Sequence, residues 1–263
     1  MKPIRTVFWV LSLAFMLQSP PSLAVIPTSD QSDLWWTAGE DGWGMQMVER
    51  DNRIFATIYV YDSSGNPVWY TSLMDYKGTY WTGDLNASTG SWFGAVPYLA
   101  SSFHSQKVGT MTWTPNDLVS GSLVYSVNGV PISKSIVRFS LAIEDFSGTY
   151  LGAAHLTNTG CTDPSKNGTL EEFATFIVAQ SESSFQLSFN PQTGTACTLT
   201  GTLTQAGRLG SVNGQYTCVN GTMGTFVADG AVVGINTFST HFTTNDAVTG
   251  CSATGYLGGM RHR

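Results

Sequence analysis

The sequence predicts an all-β chain: two antiparallel up-and-down meanders in tandem, each closed as a barrel or a barrel-like sandwich. Three observations carry that expectation. Short runs rich in β-branched and aromatic residues recur at spacings of roughly 8–12 residues between turn signals, and no helical period is sustained. Charged residues make up 11% of the chain, against roughly 25% in ordinary soluble domains, and Gly, Ser and Thr take their place. Tryptophan and cysteine are also segregated. Trp35, Trp36, Trp43, Trp69, Trp81, Trp92 and Trp113 all precede Phe139, whereas Cys161, Cys197, Cys218 and Cys251 all follow it. The length left for folding suits one large domain or two ordinary ones, and this division favours two, at residues 33–140 and 145–263. Ile143-Glu144-Asp145 reads as a short connector, so the two should sit close together.

Residues 1–24 read as an export signal. Lys2 and Arg5 precede an apolar run over residues 7–17, and Ser22-Leu23-Ala24 supplies a small-x-small cleavage site. The run is too short to span a bilayer, which needs about 20 residues. Cleavage after Ala24 would release an exported protein, periplasmic or extracellular, with Val25 rather than a lipid-bearing Cys at its start. Without Lys2 and Arg5, the 12 basic residues become 10 against 18 acidic ones, a formal charge of −8. Nucleic acid is therefore a poor partner, because that affinity rests on many Lys and Arg contacts. No membrane span is expected, and the oligomeric state is open.

In the first domain, strands are expected at residues 43–49, 53–61, 68–74, 79–85, 108–114, 119–127 and 130–139. Asp51-Asn52 makes the first turn, Asp62-Ser63-Ser64-Gly65-Asn66 the next, and Pro67 opens a strand where a missing donor is tolerated. Residues 86–106 read as irregular. Asn128-Gly129 is the strongest two-residue hairpin signal. Along residues 53–61, Ile54, Ala56, Ile58 and Val60 share one face, and Phe55, Thr57, Tyr59 and Tyr61 the other. Neither is a plain polar row. The aliphatic face should fill the interior, and the aromatic face should meet the second domain, a partner or a ligand.

The second domain reads as eight strands, at residues 146–154, 170–178, 185–190, 196–204, 208–217, 222–228, 233–242 and 249–260, a number that suits closure. Four cysteines in an exported chain favour two disulfides, with three pairings open. Up-and-down alternation puts all four at one end of such a barrel. Cys197 and Cys218 then sit on neighbouring strands, and Cys161 and Cys251 flank the closing seam, so Cys161–Cys251 and Cys197–Cys218 are the pairs expected. Close Cys pairs of the kind zinc sites use are missing.

Each half opens with an aromatic residue near glycine (Trp36 with Gly39, Tyr150 with Gly148) and ends on a basic residue (Arg138, Arg261). In this respect the second half resembles the lipocalin and avidin-like barrels, in which a closing arginine lies across a first-strand aromatic. The first half carries Trp35-Trp36, Glu40, Gly42-Trp43-Gly44, Phe55-Ala56-Thr57, Tyr61-Asp62 and Gly65-Asn66-Pro67-Val68-Trp69. That series resembles a module of secreted bacterial proteins, found alone or appended to larger exported enzymes such as proteases. The module's pattern is Trp-Trp-Asn-Pro-x-Glu-Ser-Gly-Trp-Gly, then Phe-Ala-Thr-Trp-Phe-x-Tyr-Asp, then Gly-x-Pro-x-Trp. Thr37-Ala38, Asp41 and Ile58-Tyr59 depart from it. The similarity extends through Phe139; it implies an exported β module and brings no activity or site residues with it.

Chemical motifs are few. There is no G-x-S-x-G, no H-E-x-x-H and no phosphate-cradling glycine loop; His104, His155 and His241 lie in unrelated segments, and no cofactor or metal is expected. The expected role is an exported, non-catalytic binding or accessory module. It would recognise a carbohydrate, another small ligand or a protein partner through an aromatic surface of Trp35, Trp36, Trp43, Tyr59, Tyr61 and Trp69, with Glu40 and Asp41 beside it. One alternative is a carbohydrate-active hydrolase built on Glu40 or Asp41, with Asp84 as second carboxylate. Another is a structural component of a cell surface or matrix.

Overall fold

The computed structural model describes residues 30–262, which form two closed antiparallel barrels in tandem. The leader expected at residues 1–24 lies outside the described residues. The first barrel comprises β1 (Asp33–Trp36), β2 (Gly44–Arg50), β3 (Arg53–Tyr61), β4 (Pro67–Tyr76), β5 (Trp81–Thr89), β6 (His104–Pro115), β7 (Ser120–Val127) and β8 (Val130–Arg138). It closes where β8 returns to β1, in the register Trp35↔Arg138 and Trp36↔Val137. The second comprises β9 (Gly148–Thr159), β10 (Gly168–Ser181), β11 (Ser184–Pro191), β12 (Cys197–Ala206), β13 (Leu209–Cys218), β14 (Met223–Val233), β15 (Thr237–Asp246) and β16 (Ser252–His262). It closes by β16 pairing β9 along their length. Closure removes the long open edges of a flat sheet, although the β1–β8 seam of the first barrel is only two residue pairs long.

Some boundaries differ from those expected, each for a local reason. Trp35 and Trp36 belong to a short strand of their own, β1. The irregular passage contracts to residues 90–103, because a bulge after Leu85 lets Asn86 to Thr89 pair with Lys107 to His104. The last strand begins at Ser252 rather than Thr249. Asp246 Oδ1 accepts the backbone N–H groups of Val248 and Thr249, which takes that turn out of the ladder.

Alternation fills the first barrel. Met45 and Met47, then Ile54, Ala56 and Ile58, then Met74, Leu85, Met111, Leu123 and Ile136 all point inward and are buried. Trp35, only 1% exposed, meets Trp113 edge to face with ring centroids 4.7 Å apart. Gly121 on β7 makes room for this pair, since a Cβ there would strike the Trp113 ring. Two buried indole N–H groups need acceptors, and Gln31 provides both. Trp35 Nε1 donates to its carbonyl at 3.0 Å and Trp113 Nε1 to its Oε1 at 3.2 Å.

Arg138 closes the base of this barrel. Its guanidinium lies 4.7 Å from the Trp35 ring centroid and pairs with Asp33 at 2.9 Å. It also donates to the carbonyls of Leu118, Ser32 and Asp30. Burial pushes this group below its usual range, and Asp33 opposes that shift. The second barrel repeats the device: Arg261 lies 5.3 Å from the Tyr150 ring centroid and donates to its hydroxyl, which donates to the Phe146 carbonyl. In the first half the arginine covers Trp35, not Trp36; Trp36 points the other way and packs on Phe139.

The bases of the two barrels face each other. The turn between β12 and β13 reaches the first barrel, where Arg208 donates to Asp30 at 2.6 Å and through its backbone to Asp33 at 3.2 Å. Gly207, at φ +60°, donates to Ser140 Oγ, and a Cβ there would collide with Asp33 and Arg138. Gln205 adds bonds to Ala142 and Glu144 in the connector.

Removing Arg138 strands the Asp33 carboxylate and three carbonyls at a buried base. Arg138→Ala is expected to destabilise the first barrel by about 3–5 kcal/mol. Every tryptophan among the described residues lies in that barrel, so urea unfolding followed by tryptophan fluorescence measures it directly. An unchanged midpoint would remove the clamp from this account.

Candidate functional site

Apart from Trp36, which packs on Phe139, the residues singled out in the sequence fall into three environments. Trp35 is core and offers no surface to a ligand, which corrects its expected role. Glu40, Asp41 and Trp43 lie on or beside the turn between β1 and β2. There Trp43 Nε1 donates to Glu40 Oε2 at 2.9 Å. Lys134 pairs with the same oxygen and sits 5.2 Å from the Trp43 ring centroid. The bond from Lys134 holds the Glu40 carboxyl below its usual value, which is the wrong direction for a glycosidase general acid. Asp84 forms its own ion pair with Lys107 at 2.6 Å, and Asp41 is exposed in the turn.

Tyr59, Tyr61 and Trp69 form the third group. They are 51%, 55% and 50% exposed on the outer face of β3 and β4. Tyr59 is directly opposite Trp69 in the ladder, and Phe55 is opposite Leu73. Tyr61 lies against Gly42, whose φ of +92° and close approach to the ring suit glycine. This face does not meet the second barrel, whose contacts are with the base.

A shaped interior space lies elsewhere, in the second barrel. Its lower half is filled by Phe146, Tyr150 and Phe238, with ring centroids 5.4–6.3 Å apart. Phe226–Phe242 and Phe176–Phe189 pairs lie above them. Beyond these rings the barrel opens into a cavity of about 430 Å³ at the end remote from the first barrel. Its wall is apolar, with Leu156, Leu199, Phe189, Phe242 and Leu257 among its residues. The size and lining fall within the range of small-molecule sites.

Both disulfides stand at this mouth, Cys161–Cys251 across the β9–β16 seam and Cys197–Cys218 between β12 and β13. These are the pairs that strand alternation predicts, and they mark an oxidising compartment. They stiffen a rim that the aromatic core does not reach.

A few polar groups line the same space. Glu172 points inward from β10, and its Oε1 accepts from Thr193 N at 3.0 Å and Thr193 Oγ1 at 2.8 Å. Tyr216 donates to Asp246 and accepts from Thr244; burial, then the Asp246 charge, pushes its phenol up to about 12. Burial raises Asp246 as well, but the bonds from Thr249, Val248 and Tyr216 outweigh it and leave the carboxyl low. The interior therefore presents acceptors near its rim, with Lys166 the basic residue of the lining.

The sequence pointed away from this site. Its residues are ordinary strand positions, and only the cysteines hinted that one end of the second barrel needed support. Among the described residues no cluster of His, Cys, Asp and Glu is placed to hold a metal ion, and no helix is long and apolar enough to cross a membrane.

Two outcomes follow. Reducing the disulfides should cost the second barrel about 2–5 kcal/mol, seen in circular dichroism, while tryptophan fluorescence from the first barrel stays unchanged. For Tyr216, the folded state keeps its proton to higher pH than the unfolded chain. Stability is thus complete below about pH 10 and falls as pH rises toward about 12. Tyr216→Phe should flatten that alkaline decline in denaturant midpoints; an unchanged slope would assign it to another group.

No protein-family model matches the chain, and no curated protein matches it in sequence.

Proposed function

We propose that this is an exported, non-catalytic binding protein whose second barrel carries a small, mainly apolar ligand in its open mouth. The observation that carries the reading is the 430 Å³ apolar cavity held open between two disulfides. A ligand seated there exchanges water for the Phe189, Phe242, Leu199 and Leu257 side chains, which is the main source of affinity in such sites. The inward acceptors, Glu172 above all, favour a ligand whose polar end donates hydrogen bonds. They disfavour a carboxylate ligand, because like charges would face each other in a partly desolvated space. Export places the protein in the periplasm or outside the cell, where both disulfides persist.

A neutral aromatic amine with an N–H donor, N-phenyl-1-naphthylamine, is a suitable probe. Its fluorescence should rise on binding and the melting temperature of the second barrel should rise with it. Leu199→Trp, which fills the cavity from β12, should abolish both effects while leaving the circular dichroism spectrum unchanged. Glu172→Gln should keep the probe but relax discrimination against its carboxylate analogues. Probe binding that survives Leu199→Trp would sink the proposal.

A further inference from the structure

The first barrel has its own unexplained end. Because the barrels meet base to base, the turns after β1, β3, β5 and β7 lie at the far end, away from the second barrel. The loop after β5, residues 90–103, is the longest of these and contains no charged residue. Trp92, Phe93, Val96, Tyr98, Leu99 and Phe103 are all exposed on it. Phe93 is 93% exposed and Val96 is 96% exposed, and the ring beside Phe93 is that of its own loop neighbour Trp92, with centroids 5.5 Å apart. These side chains protrude from a convex tip.

We infer that this loop inserts into the interfacial layer of a zwitterionic phospholipid bilayer and docks the first barrel on it. A convex tip of bare apolar side chains suits a fluid phase that closes around it. Below the tip, on the same end of the barrel, stand Tyr59, Tyr61 and Trp69, half exposed on the outer wall. Trp and Tyr are the residues that settle at headgroup depth, where an apolar ring and a polar atom are both satisfied. The loop would occupy the acyl boundary, and the wall aromatics the layer above it.

The charge pattern selects the lipid. Lys134 is tied to Glu40, and Lys107 to Asp84, while Asp41 and Asp62 add negative charge to this end. Among the described residues no basic cluster at this end is free to attract anionic headgroups, so attraction rests on apolar burial rather than counter-charge. The inference is independent of the cavity in the second barrel.

Flotation of the full chain with pure phosphatidylcholine vesicles tests it, with and without added salt, and again with about one quarter phosphatidylglycerol. The chain should float with the neutral vesicles, insensitive to salt, and no better with the anionic ones. Phe93→Ser with Val96→Ser should weaken binding on the order of a hundredfold, from the lost burial of two side chains. Both substitutions fall at fully exposed positions, so the fold is kept, and both proteins share the N-terminal apolar run, so the difference reports the loop. Three outcomes would overturn the inference: no flotation, binding confined to anionic vesicles and abolished by salt, or a solution oligomer that the double variant dissolves. N-phenyl-1-naphthylamine binding should be the same in the double variant and the parent, which separates failure here from failure of the ligand site.

Discussion

The guanidinium of Arg138 organises more of this molecule than any other single group. It is wholly buried, yet every direction in which it donates is answered: Asp33 on one side, the Leu118, Ser32 and Asp30 carbonyls around it, and the face of Trp35. The seam between β1 and β8 is short, and backbone pairing alone would hold it weakly. The arginine supplies the missing closure through side chains. It also fixes Asp33, whose Oδ2 receives the Arg208 backbone N–H of the second barrel. One interaction thus seals the first barrel and positions the second. Gly207 is required at that point because the turn approaches the ion pair too closely for a Cβ.

The same logic of closure supports two different interiors. Tryptophan and methionine side chains occupy the first barrel, and Gly121 gives up its own volume to admit Trp113. The phenylalanines of the second barrel pack against one another toward its base, and Phe189 and Phe242 reach the cavity wall. Toward the mouth the lining passes to smaller side chains such as Leu156, Ala154, Thr195 and Ala253, which leave the lumen open. A barrel emptied in this way loses core stabilisation at one end. Two covalent crosslinks stand where that stabilisation is missing. The segregation of tryptophans and cysteines in the sequence is the trace of this exchange of packing for crosslinks.

Much of the architecture was legible because it depends on local rules. Period-two alternation in Ile54, Ala56 and Ile58 identified an interior face, and Asn128-Gly129 marked a hairpin. Strand parity placed four cysteines at one end. The closing arginines were visible as paired terminal features, although whether Trp35 or Trp36 lay beneath Arg138 depended on a register that spacing could not supply. The cavity was not legible at all. Emptiness arises from the sum of side-chain volumes across eight strands, and no single residue signals it. The Trp-rich motif misled in a related way: Trp35 is conspicuous in sequence for the same bulk that makes it core.

A base-to-base arrangement has a consequence for how the two ends work. The mouth of the second barrel and the loop at residues 90–103 lie at opposite poles, so the ligand exchange and the loop contact proposed for them would not block each other. The joint between them is short and polar, built from Asp30, Asp33, Arg138 and Arg208, with Gln205 pinning the connector. The Arg138–Asp33 pair is buried and the Arg208–Asp30 pair is half exposed; pairs of this kind add little net stability but penalise other arrangements of the partners. Rotating one barrel against the other would strand the Arg208 backbone donor and break the Arg208–Asp30 pair, while Asp33 would keep Arg138. The polar joint therefore serves orientation. It holds the open mouth pointing away from the loop at residues 90–103, so that a ligand in the one and a surface under the other would not compete for the same side of the molecule.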